Sequence, residues 1–167
     1  MTPGSQKTSG GSAAGIPLPG LLDIVSEAFF SEFRAELEQS EFGDIRPTHG
    51  CVFRHVQGEG LRLTDIAERA KLTKQSVGEI VDDLVERGYA QRIPDPEDRR
   101  AKLVCLTERG EAAQAHGRRL FAKVEKRWAQ RYGADRIAAL RELMEEVAVD
   151  KAPFAVPELA QREPAPV

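Results

Sequence analysis

The stretch Pro94-Asp95-Pro96-Glu97-Asp98-Arg99-Arg100-Ala101-Lys102-Leu103-Val104-Cys105-Leu106-Thr107-Glu108-Arg109-Gly110 decides the fold of this chain. Its first seven residues hold two prolines and a run of charged turn formers, so they cannot be helical throughout and read as the tip of a hairpin. Lys102–Leu106 is short and β-prone, and Tyr89–Ile93 on the other side of the tip supplies a strand to pair with it. Thr107 then caps a helix, with Glu108 placed favourably in its first turn.

Two compact helices precede the hairpin. Thr64 is expected to cap the first, with Ile66, Ala67 and Ala70 facing inward. Ala70-Lys71-Leu72 forms a tight turn, and Thr73 caps the second helix, which runs to Arg87. Its apolar positions are Val77, Ile80, Val81, Leu84 and Val85, and Gly88 follows where a helix end favours a left-handed residue. A helix pair leading straight into a hairpin is a winged helix-turn-helix. Its second helix has a first turn free to enter a major groove while its apolar face anchors it to the domain. Lys74, Gln75 and Ser76 follow the Thr73 cap in that turn. Lys suits a phosphate or a guanine edge, Gln an adenine and Ser either role. Glu79, one turn on, is repelled by phosphate unless it accepts from a cytosine amine. Arg99 and Arg100 at the hairpin tip suit a narrow minor groove.

Helices flank this unit. From Leu18 to Leu37, Leu18, Leu21, Leu22, Val25, Phe29, Phe33 and Leu37 keep the spacing of one helical face. Pro47 opens a short helix to about Gln57, ended by Gly58 and Gly60. The helix begun at Thr107 carries Ala112, Ala113, Leu120, Val124 and Trp128 and is interrupted by Gly133. A last helix, about Asp135–Val149, carries Ile137, Leu140, Leu143, Met144 and Val147 on one side. The first and last helices are thus apolar along one side yet lie at opposite ends of the chain, so a monomer would expose a sizeable apolar patch. Residues 1–16, rich in Gly, Ser and Pro, read as a disordered tail, and 151–167, with recurrent prolines, as a flexible one. The fold class is mainly α with a small β-hairpin wing. The unit spans 17–150, with the winged helix at about 46–106 and flanking helices at about 17–41 and 107–149.

At 167 residues and 41% apolar, the chain can bury one core. Its net charge of −3 argues mildly against a nucleic-acid partner, but the distribution argues the other way. Residues 1–57 sum to −3, 58–98 to −4, 99–131 to +7 and 132–167 to −3. The cationic block begins at the hairpin-tip arginines. Arg118, Arg119, Lys123, Lys126 and Arg127, further along it, read as a solvated helix face.

The stretch from Thr64 to Gly110 closely resembles the MarR family of bacterial transcriptional regulators. The wing signature, Asp-x-Arg, an apolar strand and Leu-Thr-x-x-Gly, stands without a gap at Asp98, Arg100, Leu106, Thr107 and Gly110. The resemblance covers about 18–148 and implies a homodimer whose first and last helices interleave. Its two lobes would read a palindromic double-stranded operator, with recognition helices on successive major grooves about 10–10.5 base pairs apart. It also implies Arg100 against the minor groove with Asp98 holding the tip, and a role as repressor, less often activator. Release would come from a small-molecule effector, phenolic or antibiotic-like, in a cleft between the flanking helices and the lobe. Two departures stand out: Gly78 and Glu79 occupy polar or basic positions of the recognition helix, and Arg46 replaces the usual capping hydroxyl before Pro47.

The cleft candidates are Phe29, Phe33, His49 and Phe53, with Phe30 and His55 in the same group; core packing explains the phenylalanines equally well. Trp128 is open to the same two readings. Cys51, among Val52, Phe53 and Val56, reads as core filler, with a redox-sensing regulator as the alternative. Cys105 reads as a packed strand thiol. No nucleophile–base pair, phosphate-binding glycine loop, metal cluster or cofactor motif is visible, so an enzyme is not expected. Neither a membrane span nor a secretory signal is seen, which places the protein in the cytoplasm. The rival function is a winged-helix interaction module docking a protein through the acidic 58–98 segment.

Overall fold

The computed structural model describes residues 15–98 and 100–151. Arg99 and the two predicted tails, apart from Gly15, Ile16 and Lys151, lie outside the described residues. The element order is α1 (Leu18–Leu37), a 3-10 turn (Pro47–His49), α2 (Gly50–His55), β1 (Leu61–Arg62), α3 (Leu63–Ala70) and α4 (Lys74–Glu86). It continues with β2 (Ala90–Pro94), β3 (Lys102–Leu106), α5 (Glu108–Tyr132) and α6 (Ala134–Lys151). The fold is mainly helical with a small antiparallel sheet, the architecture of a winged helix-turn-helix.

The helix predicted over Pro47–Gln57 is two pieces, a 3-10 turn running into α2. Thr64 is not a cap. The chain passes straight from β1 into α3, and Arg62, in extended conformation, takes the position before the helix without a side-chain hydrogen bond to it. β1 is a strand the periodicity did not reveal, since two residues are too few to show alternation. It pairs Leu61 with Val104 and Arg62 with Leu103, so the wing is a three-stranded sheet in the order β1-β3-β2. Pro94 belongs to the end of β2, opposite Lys102, rather than to the tip. Gly60 makes this arrangement possible: it adopts a φ of +94°, and a Cβ there would lie 2.4 Å from Cys105 Sγ.

The core lies within the lobe. Val52, Val56, Ile66, Val77, Val81, Leu84, Tyr89 and Val104 are at most 1% exposed, contributed by α2, the following residue, α3, α4, the α4–β2 junction and β3. Val85 and Ala112, predicted to face inward, are exposed. Burying such a set is the dominant favourable term in folding.

α1 and α5 pack side by side outside the lobe. Trp128 Nε1 donates to Glu32 Oε1 at 2.8 Å, Arg127 Nη2 donates to Glu32 at 2.9 Å and Lys123 Nζ to Glu36 at 2.7 Å. Phe29 meets the Trp128 ring edge-on at 5.1 Å. Lys123 stays exposed, as the solvated-face reading expects, while also cross-linking the helices, and Arg127 is half-buried between them. α6 packs on α5, where Arg141 pairs with Glu125. Leu18, Leu22 and Val25 of α1 remain exposed, as do Leu140, Leu143, Met144 and Val147 of α6.

Candidate nucleic-acid interface and adjoining cleft

Recognition-helix geometry begins at a cap. Thr73 is extended, and its Oγ1 accepts the Ser76 N–H at 3.1 Å while lying 2.8 Å from Ser76 Oγ. These bonds satisfy the start of α4 and fix the direction in which its first turn points. Thr73, Lys74 and Gln75 are exposed and Ser76 half-buried. Gln75 Nε2 donates to Glu79 Oε1 at 3.2 Å, one turn along the same face. Gly78 sits within the helix, where a Cβ would make ordinary contact with Leu63 Cδ2 at 3.9 Å, and glycine there costs about 0.8–1 kcal/mol relative to Ala.

The turn before the helix is tight because Lys71 adopts a left-handed conformation, φ 54° and ψ 39°. It is the one non-glycine residue with positive φ among the described residues. Its N–H donates to Glu68 O, and Leu72 N–H to Ala67 O, which closes α3.

Acidic residues on the far half of α4 are answered internally. Arg92 of β2 pairs with Asp82 at 2.5 Å. Arg87 Nε donates to Asp83 Oδ1 at 2.9 Å, and His49 Nε2 lies 2.7 Å from Asp83 Oδ2. Asp82 and Asp83 are therefore paired, and the Arg92 pair ties the wing to the recognition helix.

Wing geometry depends on Asp95, which sequence reasoning missed. Its carboxylate, 4% exposed, accepts from Arg62 Nε at 2.6 Å and from the Glu97 N–H at 2.8 Å. These partners, the Glu97 amide first and Arg62 second, hold its pKa below the usual carboxylate value. Asp95 N–H donates to Ala101 O, and Ala101 N–H to Asp98 O. Asp98 Oδ1 accepts the Arg100 N–H at 3.0 Å. Asp98 thus organises the backbone of the tip, and the Arg100 side chain is exposed. A buried acid five residues before an arginine, with a cation on an earlier strand, is a signal visible only once β1 is known to join the sheet.

The Leu-Thr-x-x-Gly part of the signature has a packing origin. Thr107 Oγ1 accepts the Gly110 N–H at 3.1 Å and its hydroxyl donates to Gly88 O at 2.6 Å. Gly110 lies so close to the strand that a Cβ would stand 2.0 Å from Tyr89 O. Tyr89, fully buried, donates its hydroxyl to Asp44 at 2.6 Å.

A cleft of about 1050 Å³ opens between α1, α2, the α3–α4 turn and α5. Phe33 and Phe53 line it, together with Phe30 and Phe121; Phe33 and Phe121 stack with centroids 4.2 Å apart. Phe29 and His49 lie outside its lining: Phe29 packs against Trp128, and His49 is buried beneath α4. Arg118, predicted on a solvated face, borders the cleft and donates to Gln114. His55 and the cations Arg34, Arg54, Arg69 and Lys71 line the cleft too, cations that the helical periodicity, being apolar, did not single out. Cys51 also lines it, with Sγ donating to Thr48 O, and burial pushes its thiol pKa up, away from the thiolate that redox sensing needs. Burial likewise raises the pKa of Cys105.

Among the described residues no group of three or more His, Cys, Asp or Glu could hold a metal ion, and no helix is long and apolar enough to cross a membrane.

Residues 44–101 match the sequence model of the MarR family. No curated sequence is similar enough to count as a relative. Among solved structures, the chain resembles wild-type MarR of E. coli in its apo form, with 23% identity, a TM-score of 0.66 and coverage of 79% of this chain and 97% of that one. A transcriptional repressor, CouR, bound to a 23-mer DNA duplex, is 25% identical, with a TM-score of 0.66 over 79% of this chain and 92% of its own. CouR from Rhodococcus jostii bound to p-coumaroyl-CoA is 23% identical, with a TM-score of 0.64 over 83% and 96%.

Proposed function

Because this chain is a winged helix-turn-helix protein of the MarR family, we propose that it acts as a homodimeric, sequence-specific DNA-binding regulator of transcription. One observation carries the reading. The first turn of α4 is capped, exposed and tied through Arg92–Asp82 to a wing whose tip offers Arg100 on a backbone held by Asp98 and Asp95. Lys74, Gln75, Ser76 and Glu79 would meet base edges and phosphates in the major groove, with Thr73 setting their direction, while Arg99 and Arg100 reach the minor groove. Glu79 accepts from a cytosine amine once Gln75 turns to its own base.

The exposed apolar faces of α1 and α6 support the dimer, since a patch of that kind is rarely left bare on a monomer. Two lobes related by a two-fold axis would read a palindromic operator. The DNA-bound repressor among the similar structures supports repression, and the one holding p-coumaroyl-CoA supports a small-molecule effector in the cleft. Phe33 and Phe53 would touch that effector directly. Phe29 would back the aromatic wall through Phe121, and His49 would act behind it from its place under α4. A ligand shifts the lobes only as far as it prefers one arrangement over another, and hundredfold induction needs about 2.7 kcal/mol of coupling.

The interaction-module rival is separated by salt dependence. Asp82, Asp83 and Asp95 are paired within the acidic segment by Arg92, Arg87 and Arg62, which leaves its net charge of −4 in place. Docking of a protein on an apolar surface would not weaken steeply with ionic strength as DNA binding does. Electrophoretic shifts with duplexes from the upstream region of its own and neighbouring genes test the proposal. Sequence-dependent binding that falls steeply with salt is expected. Absence of such binding up to micromolar protein refutes it.

A further inference from the structure

Arg62 holds the wing from outside the hairpin. Its backbone pairs with Leu103 through β1, and the next residue opens α3. β3 lies between β1 and β2, so the Arg62 side chain bridges the middle strand when it reaches Asp95, just past the end of β2. Arg62 Nε and Nη2 both lie 2.6 Å from Asp95 Oδ2. The other carboxylate oxygen, Oδ1, accepts the Glu97 N–H in the tip. One buried acid thus joins the helix-turn-helix to the tip, with one oxygen for each.

The tip is otherwise closed on itself. Asp95 N–H donates to Ala101 O, Ala101 N–H to Asp98 O and Arg100 N–H to Asp98 Oδ1. Among the described residues, Arg62 is the one side chain from outside the hairpin that bonds to residues 95–101. On the opposite edge, Arg92 pairs β2 with Asp82 of α4. The wing is therefore anchored both to the start of α3 and to the recognition helix. The charges of Asp98 and Asp65 add to that of Asp95 around Arg62, so this guanidinium is committed to acids of its own chain and is not offered to phosphate.

We infer that Arg62 and Asp95 are positioning residues for DNA recognition: they set the angle of the wing tip against α4 without touching the duplex. Arg100 stands five residues after Asp95 on a self-contained turn, so any tilt at Asp95 is carried to it. The minor groove of B-form DNA is only about 6 Å wide, and a tip free to swing would often miss it. A tip fixed before binding also loses less conformational freedom when it docks. Removing either partner strands the other charge, Asp95 in a buried place and Arg62 among acids, so the two residues act as one unit.

This inference rests on the DNA-binding role proposed above. Its test uses the full chain and a duplex that the wild-type protein selects from a random library. The double variant R62Q/D95N keeps net charge and nearly keeps side-chain volume, and it is made both in the wild-type chain and in Arg99→Ala/Arg100→Ala. It should weaken binding at least fivefold in the first background and less than twofold in the second, because an effect exerted through the tip vanishes with the tip arginines. Unchanged affinity in the wild-type background overturns the inference. So does an equal loss in both backgrounds, which would mean that Arg62 meets the duplex itself or that the whole lobe is disturbed. If R62Q/D95N does not fold, as read by circular dichroism, Arg62→Lys keeps the charge with a single nitrogen and runs the same comparison, with at least a twofold loss expected. A second readout needs no DNA: amide exchange at Ala101 should quicken in R62Q/D95N at least tenfold more than at Val81 in the core of α4. Equal changes at the two amides would show that the pair does not hold the tip. A wild-type chain that selects no duplex would refute the regulator reading, and the exchange result would still decide whether Arg62 and Asp95 fix the wing.

Discussion

His49 Nε2 donates to Asp83 Oδ2 at 2.7 Å, joining the buried 3-10 turn to the recognition helix. The tautomer follows from the other nitrogen, because Nδ1 accepts the Arg46 N–H at 3.1 Å. A neutral imidazole is thus clamped between backbone and carboxylate, and it fixes how α4 sits on the segment that precedes the lobe.

Removing that clamp leaves a buried hole and strips Asp83 of one donor. His49→Ala is expected to destabilise the protein by about 2–3 kcal/mol, measured by urea unfolding. A loss below about 0.5 kcal/mol would show that Arg46 and Arg87 hold α4 without it.

Stability should depend on pH through two histidines. Burial is the main cause holding both His49 and His55 below the ordinary value of 6.5, so the unfolded chain takes up their protons first. Stability is then complete above about pH 6.5 and declines as pH falls through that value toward the lower folded-state pKa values. The melting temperature should fall between pH 7 and pH 5, and His49→Gln/His55→Leu should flatten that dependence. An unchanged slope in the double variant would assign it to other groups.

Gly110→Ala places a Cβ 2.0 Å from Tyr89 O, on backbone that cannot swing aside. The expected cost is about 2–3 kcal/mol, read as a lowered urea midpoint. Gly50→Ala, with nothing within 4 Å, serves as the control and should be neutral or mildly stabilising.

Arg100→Ala should weaken operator binding about tenfold and reduce the salt slope by about one, without altering the dimer. Titrations at several salt concentrations with a labelled operator measure both quantities. Unchanged affinity would remove the wing tip from the interface.

Leu143→Glu, on the exposed face of α6, places charge where the proposed partner packs. Light scattering should show a monomer at micromolar concentration with helix content retained. A persistent dimer would move the interface elsewhere.

Much of this was legible in the residues. Three- and four-residue spacing located α1 and the apolar face of α4, because amphipathic helices of 13 and 20 residues repeat the signal several times. Thr73 and Thr107 marked their helix starts, since a hydroxyl just before a periodic run accepts an orphan N–H. Thr64 misled by the same logic: the chain enters α3 directly from a strand, and Arg62 stands where a cap would be. In the cleft, Phe33 and Phe53 were named from the sequence, whereas Phe121, Arg69 and Lys71 were not. Nothing local in a helix end says which distant helix faces it.

Local propensity and spacing by themselves determined a mainly helical chain with a helix-turn-helix, a hairpin wing and the exposed first turn of α4. These depend on backbone preferences and periodicities that act over a few residues. Only the tertiary structure decided that Leu61–Arg62 completes the sheet, that Asp95 is buried against Arg62 and that His49 bonds Asp83 and lies behind the cleft lining. The partners in those contacts are 33 or more residues apart. Their pairing is set by which side chains the packed core brings within about 3 Å, a distance over which desolvation and hydrogen bonding act but which no short-range pattern encodes.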